Sequence, residues 1–190
     1  MLFRSHPGCR ELIEALDAAA SLGEVEAITR SVQEALSHLA TAGRIHLPEA
    51  LCQPCPDSYA RRLIYRSPQP AYTVLAMVWG PQQGTPVHDH SGLWCVEGVV
   101  EGSIDVTQYD LVERQGERCR FEAQETMDAG VGSSGRLIPP FDYHTIANAS
   151  REQSAITVHV YGGEMVRCMI YEPVQDDWYL ERKRELAYSS

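Results

Sequence analysis

Two histidines raise the first chemical question. His88 and His90 stand as H-D-H just after Pro86 and just before a run that reads as a strand. In extended chain, side chains at i and i+2 project to the same face, so both imidazoles can reach one ion. Exposed loop histidines beside an N-capping Asp89 would look the same in sequence. A second group lies on the run Ser154 to Tyr161, where Thr157, His159 and Tyr161 alternate with Ile156, Val158 and Val160. A hydroxyl, an imidazole and a phenol therefore share one face of a strand whose other face is apolar. A hydrogen-bonded ladder inside a core is one use of such a face; orientation of the Tyr161 hydroxyl by His159, as donor or proton source, is another.

Such side chains need elements to hold them. Leu12, Ile13, Leu16, Ala19 and Ala20 recur at helical spacing, as do Val25, Ile28, Val32, Ala35 and Leu39 before Gly43, so the first 45 or so residues read as helical. After Leu47 to Asp57, which holds three prolines, the pattern changes to short runs separated by turn residues. Ala71 to Trp79, Trp94 to Val100, Ser103 to Tyr109 and Ser154 to Tyr161 read as strands, with more to follow. Glu101-Gly102 has the look of a tight hairpin, and Gly130 to Gly135 of a loop. The expectation is a mainly β chain in which a helical N-terminal segment covers an antiparallel barrel or sandwich.

Composition bounds the rest. At 190 residues, with 44% hydrophobic and 22% charged residues, the chain suits one globular domain. Its longest apolar stretch, Ala71 to Trp79, is short of the roughly 20 residues of a membrane helix. The N-terminus MLFRSHPGCR lacks a secretory pattern, which makes the cytoplasm the expected location. A net charge of -10 is the wrong sign for nucleic acid. The six cysteines are expected as thiols. Cys52-x-x-Cys55 has no second C-x-x-C and does not open a helix after a strand, so it reads as structural or incidental. His6, His38 and His46 have no partners at ligand spacing.

His88-x-His90 is followed by Cys95 and Gly102, and later by Pro139-x-Phe141-x-x-His144-x-x-x-Asn148. In this order the residues resemble the two metal-binding motifs of the cupin superfamily, with two departures. Cys95 stands where the usual glutamate ligand would be, and Phe141 replaces the motif glycine. The resemblance implies a cupin-type antiparallel β-barrel, or jelly roll, over a single domain 1-190, with N-terminal helices within 1-46 and a barrel core over 59-175. Without the carboxylate, three neutral imidazoles leave a divalent ion at full charge with open positions for an anionic ligand, for which a thiolate is the natural candidate. Imidazole suits Fe, Zn or Cu; free positions for substrate and dioxygen match Fe(II), whereas zinc could not activate oxygen.

Taken with Tyr59-Ala-Arg61, Thr157, His159, Tyr161 and Cys168, the pattern resembles the thiol dioxygenases of the cysteine dioxygenase family from about Tyr59 to Cys168. That resemblance implies His88, His90 and His144 as Fe(II) ligands, Tyr161 supported by His159 and Thr157 as the catalytic group, and Arg61 with Tyr59 as the substrate anchor. In mammalian-type members a cysteine at the place of Cys95 forms a thioether with the catalytic tyrosine, so a Cys95-Tyr161 cross-link in at least part of the molecules stands beside a free buried thiol. A guanidinium matches a carboxylate bidentately, and relatives preferring 3-mercaptopropionate usually carry glutamine here, so Arg61 points to L-cysteine. Arg62 would exchange roles with Arg61 on a one-residue register slip. Gly162-Gly163 stands where mammalian-type enzymes have Ser-Pro-Pro, which keeps a differently charged thiol such as mercaptosuccinate open. Asp89 is expected to point away from the ion and orient a backbone amide or a ligand imidazole. The implied activity is addition of both atoms of O2 to the sulfur of L-cysteine, giving cysteine sulfinic acid, in a monomer or small homo-oligomer. Other cupin enzymes using Mn, Zn or Ni would ordinarily keep the acidic ligand, and a non-catalytic cupin sensor would bind ligand without consuming oxygen.

Overall fold

The computed structural model describes residues 7–69 and 72–189; His6 and Ala71 lie outside the described residues. Two helices open the chain, α1 (Pro7–Ala20) and α2 (Val25–Thr41). Eleven strands follow: β1 (Ala60–Ser67), β2 (Tyr72–Trp79), β3 (Val87–His88), β4 (Cys95–Glu101), β5 (Ser103–Gln115), β6 (Arg118–Gly130), β7 (Ser134–Leu137), β8 (His144–Ala147), β9 (Ala155–Tyr161), β10 (Arg167–Gln175) and β11 (Trp178–Glu185). They form a five-stranded sheet in the order β1-β2-β9-β4-β7 and a six-stranded ring in the order β10-β11-β6-β5-β8-β3, antiparallel throughout. The fold is a mainly β, cupin-type antiparallel barrel carrying two N-terminal helices.

Each face of the five-stranded sheet has its own burial. Leu12, Ile13, Leu16, Val32 and Leu36 pack on the outer face against Val74, Ala76, Val96, Val158 and Val160. Withdrawing each such large side chain from water contributes about 1.5–3 kcal/mol, which is what fastens the helices to the sheet. The inner face faces the second sheet through Leu75, Met77, Trp79, Cys95, Val99 and Tyr161, with Ile104, Val106 and Ile146 opposite. β2 and β9 are therefore buried along their whole length. On β9 this explains the alternation seen in sequence: Ile156, Val158 and Val160 meet apolar side chains outside, and Thr157, His159 and Tyr161 point into the barrel.

The hairpin expected at Glu101-Gly102 does not form. β4 pairs with β7 and β9 while β5 pairs with β6 and β8, so these two residues turn a corner between sheets. Gly102 serves the corner because its φ is +70° and a Cβ there would come within 3.0 Å of the Ser154 carbonyl oxygen. Ser103 to Tyr109 is only the start of β5, which runs on to Gln115 in a pair with β6. The loop expected over Gly130 to Gly135 is a turn of three residues, after which Ser134 and Gly135 join β7. β11 extends past residue 175, and the segment after it hydrogen-bonds back to β1 through Ser189 and Arg61.

Candidate metal centre

His88 closes β3 and is the register partner of His144 on β8 and of Ile170 on β10. Cross-strand neighbours bring Cβ atoms about 4.5–5.5 Å apart, so this pairing alone places two imidazoles side by side. His90 follows in the turn that leaves β3, where the Leu93 amide donates to its carbonyl at 3.0 Å. The ring centroids of His88, His90 and His144 lie 4.6–5.2 Å from one another. One ligand atom from each falls within 4.8 Å of the others.

The hydrogen bonds of these rings show what their remaining nitrogens are for. His88 Nδ1 lies 3.1 Å from the Pro86 carbonyl oxygen, and His90 Nδ1 lies 3.1 Å from Asp142 Oδ2, which also accepts the His90 amide at 3.0 Å. Nε2 of both rings is left for an ion. His144 is fully buried, and among the described residues neither of its ring nitrogens has a hydrogen-bond partner. A buried polar atom without a partner costs about 1–3 kcal/mol, and a bound cation would remove that cost at a lone pair. Burial, reinforced by the neighbouring imidazoles, pushes His88 down to about 3 and His144 well below the ordinary histidine range. Both are neutral at physiological pH, the state a metal ligand needs. The residues present fit a divalent metal held by three imidazoles.

Asp142 was not foreseen. It is buried and fixes both the ring and the backbone of His90, and its one sequence signal is a carboxyl two residues before His144. Asp89 turns away from the histidines and accepts the Ser91 and Met169 amides at 3.2 and 2.9 Å, so it holds backbone.

Across the cavity, β9 presents its ladder. Trp79 Nε1 donates to Thr157 Oγ1 at 3.0 Å, Thr157 Oγ1 lies 2.8 Å from His159 Nε2, and Tyr161 Oη lies 3.3 Å from His159 Nδ1. The Tyr161 ring centroid is 6.1 Å from that of His90, which puts the phenol beside the three histidines. Burial and the Cys95 thiol raise Tyr161 well above the ordinary phenol range, so it stays protonated, and burial holds His159 neutral. Cys95 is the register partner of Tyr161, with its thiol within hydrogen-bonding reach of the phenol and its Sγ 4.0 Å from His159 Nδ1. The same register sets Glu97 opposite His159, with Oε2 3.5 Å from Nδ1; sequence reading passed over this residue.

The cavity between ladder and histidines is small, about 20 Å³, and is walled by Tyr59, Arg61, Trp79, His88, Tyr161 and Cys168, among others. Of Arg61 and Arg62, Arg61 is therefore the one that reaches it. Arg62 turns to the opposite side of β1 and donates to the Gln53 carbonyl at 2.8 Å. Arg61 gives Nη1 to the Ala187 carbonyl and Nη2 to the Met165 carbonyl, both at 3.2 Å, and Tyr188 covers the guanidinium at 5.7 Å. Among the described residues these two carbonyls take two of its five N–H donors. Tyr59 packs on Trp79 with ring centroids 4.7 Å apart. Arg184, on β11 opposite Cys168, adds a second guanidinium to the cavity wall. Gly162 has a packing reason, since a Cβ there would collide with the Trp94 indole.

Some singled-out residues stay away from this site. His38 and His46 are exposed, and Cys52 and Cys55 are free thiols packed against the cluster of Ala60, Val78 and Ile156. Phe141 is 79% exposed, so the motif position it fills lies on the surface.

A family model described as cysteine dioxygenase type I matches residues 55–173. Among curated proteins, the cysteine dioxygenase type 1 of Danio rerio is 24% identical over 106 residues, covering 53% of this chain and 50% of its own. That of Rattus norvegicus is 18% identical over 114 residues, covering 60% and 56%. The chain thus spans about half the length of the curated relatives it matches. Among solved structures, a Thermus thermophilus protein is similar at TM-score 0.46 and 20% identity, over 62% of this chain and 94% of that one. An uncharacterized conserved protein with a double-stranded β-helix domain from Klebsiella pneumoniae is similar at TM-score 0.47 and 16% identity, over 64% and 85%.

Proposed function

The chain belongs to the cysteine dioxygenase type I family, and from that premise we propose that it is an Fe(II)-dependent thiol dioxygenase, adding both atoms of O2 to the sulfur of L-cysteine to give the sulfinic acid. The observation that carries this reading is the ligand set: three imidazoles gathered on one point, two of them, His88 and His144, held neutral by burial, with no carboxylate in the group. Such a site needs its negative ligand from the substrate, and a thiolate supplies it. Iron held by His88, His90 and His144 would bring, when bound, the redox chemistry that joins dioxygen to sulfur. The four electrons that reduce dioxygen leave the sulfur, so no external reductant is required.

The protein's own groups then divide the work. Arg61, pinned by two backbone carbonyls, offers its remaining donors to the substrate carboxylate and so fixes where the sulfur lies. Tyr161 stays a phenol and directs its O–H toward the reacting atoms, while Thr157 and Trp79 hold His159 in place behind it. The tight walls around the histidines exclude water from the thiolate. A thioether between Cys95 and Tyr161 is part of the same reading, supported by their register and contact. A loss of two hydrogens from the joined tryptic peptides after turnover with iron and oxygen would show it; unmodified peptides would refute it.

One observation favours a second substrate. Arg184 places a further guanidinium on the cavity wall, and two arginines suit a thiol with two carboxylates, such as mercaptosuccinate. Oxygen-electrode traces on the Fe(II)-loaded protein with L-cysteine, 3-mercaptopropionate and mercaptosuccinate in parallel decide. Uptake fastest with L-cysteine is expected; fastest uptake with mercaptosuccinate would make Arg184 the second anchor. Thiol binding with no oxygen uptake on any of the three would leave a binding module instead.

A further inference from the structure

Glu97 is a buried carboxyl with no task in the chemistry above. It is 5% exposed, and its Oε2 lacks a hydrogen-bond partner among the described residues. It points at a contested atom, since Tyr161 Oη at 3.3 Å, Glu97 Oε2 at 3.5 Å and Cys95 Sγ at 4.0 Å all converge on Nδ1 of His159. Nε2 of the same ring is already engaged by Thr157 Oγ1 at 2.8 Å. A neutral imidazole has one N–H and one lone pair, so Nδ1 can serve only one of its neighbours well.

We infer that Glu97 is a positioning residue: its carboxyl, 3.5 Å from Nδ1 of His159, competes with the Tyr161 hydroxyl for that nitrogen, and so favours an O–H directed into the substrate cavity. Both protonation states of Glu97 give this result. As a carboxylic acid it donates to Nδ1, and Nε2–H then donates to Thr157 Oγ1. As a carboxylate it accepts from Nδ1–H, and the Thr157 hydroxyl, which already accepts from Trp79, donates to Nε2. Without Glu97, the His159 tautomer with its lone pair on Nδ1 keeps only Tyr161 and Cys95 as neighbours there, and that tautomer draws the Tyr161 proton away from the substrate.

A second cavity supplies the other half of the device. About 200 Å³ in volume and opening along the flank near β7, it reaches Glu97 and Thr157 from behind and is also lined by Gln108, Asp128 and Arg136. Glu97 can thus exchange its proton with solvent without passing the metal face. The titratable groups facing it are Cys95 on its own strand, His159 and Tyr161 on β9, Arg136 on β7 and Asp128 on β6; Arg136 is already bound to Glu26 at 2.6 Å. Burial pushes Glu97 up to about 8, so the exchange between the two states falls in the mildly alkaline range.

The inference rests on the dioxygenase reading for its purpose, and its test does not. In the metal-free protein with histidine labelled by nitrogen-15, long-range proton–nitrogen spectra report which ring nitrogen of His159 carries the hydrogen. The expected result is Nε2–H in neutral solution, passing to Nδ1–H as the pH rises through about 8, with one tautomer at every pH in Glu97→Gln. A His159 titration unchanged by Glu97→Gln would overturn the inference. With iron and thiol, Glu97→Leu is expected to lower kcat by at least about tenfold at unchanged KM and iron content, while Glu97→Gln, which still engages Nδ1, keeps most of the turnover. Equal losses in both variants would also overturn it. An inactive wild type that still shows the tautomer change would defeat the dioxygenase reading and leave the role of Glu97 standing.

Discussion

On the six-stranded side of the barrel the histidines sit on short pieces of chain: β3 has two residues, β8 has four, and His90 stands in the turn between β3 and β4. On the five-stranded side Thr157, His159 and Tyr161 ride one seven-residue strand buried on both faces and paired along its length to β2 and β4. The first arrangement depends on side chains such as Asp142 and Asp89 to hold the turns. The second depends on register, which the packing on both faces of β9 enforces. The geometry of the three histidines is held by individual hydrogen bonds and that of the ladder by the core, so the two should fail differently when disturbed.

The largest effect is expected on the histidine side. His144→Ala removes an imidazole whose nitrogens have no hydrogen-bond partner among the described residues. Iron content by elemental analysis should fall to background, and oxygen uptake with it, beyond the roughly 10–100-fold that loss of an outer hydrogen-bond partner costs. Tyr161→Phe comes next: it should lower kcat by roughly 10²–10⁴ with iron content unchanged. Equal turnover in that variant would show the ladder to be structural. Asp142→Asn, which weakens the support of His90 without touching an ion, should lower metal affinity about 10–100-fold in a competition titration with a chelator.

The smallest effect is one of stability. Glu97 lies at about 8 in the folded protein, above the roughly 4.3 of an unfolded glutamate. The neutral form is favoured by folding, so the stability it contributes is complete below about pH 4 and is lost as the pH rises through about 8. Urea unfolding of the metal-free protein at pH 5 and pH 8.5 should therefore show wild type losing on the order of 4 kcal/mol relative to Glu97→Gln. Parallel pH courses would place Glu97 in water.

Much of the ladder was legible because alternation on one strand is a local property. Thr157, His159 and Tyr161 needed no partner to be read as one face, and H-x-H needed only extended chain. What escaped depended on pairing between distant segments. Glu97 follows from the register that sets Cys95 against Tyr161, because two steps along each antiparallel strand bring it to His159. Arg184 reaches the cavity only because β11 folds against β10 beyond residue 175. Asp142 is aimed by a turn whose course the sequence does not encode in periodicity. The corner at Glu101-Gly102 reads as a hairpin in sequence for a related reason: turn residues mark where a chain bends, and whether the next strand pairs or crosses to the other sheet is settled by the core.

The central claim is that both atoms of dioxygen reach the substrate sulfur in the cavity between the three histidines and Tyr161. Single turnovers of the Fe(II)-loaded protein with L-cysteine under dioxygen enriched in oxygen-18, followed by mass spectrometry of the product, test it most directly. A sulfinate carrying two heavy oxygens is expected. A product with one heavy oxygen and one from water, or disulfide with no oxygen incorporated, would contradict it.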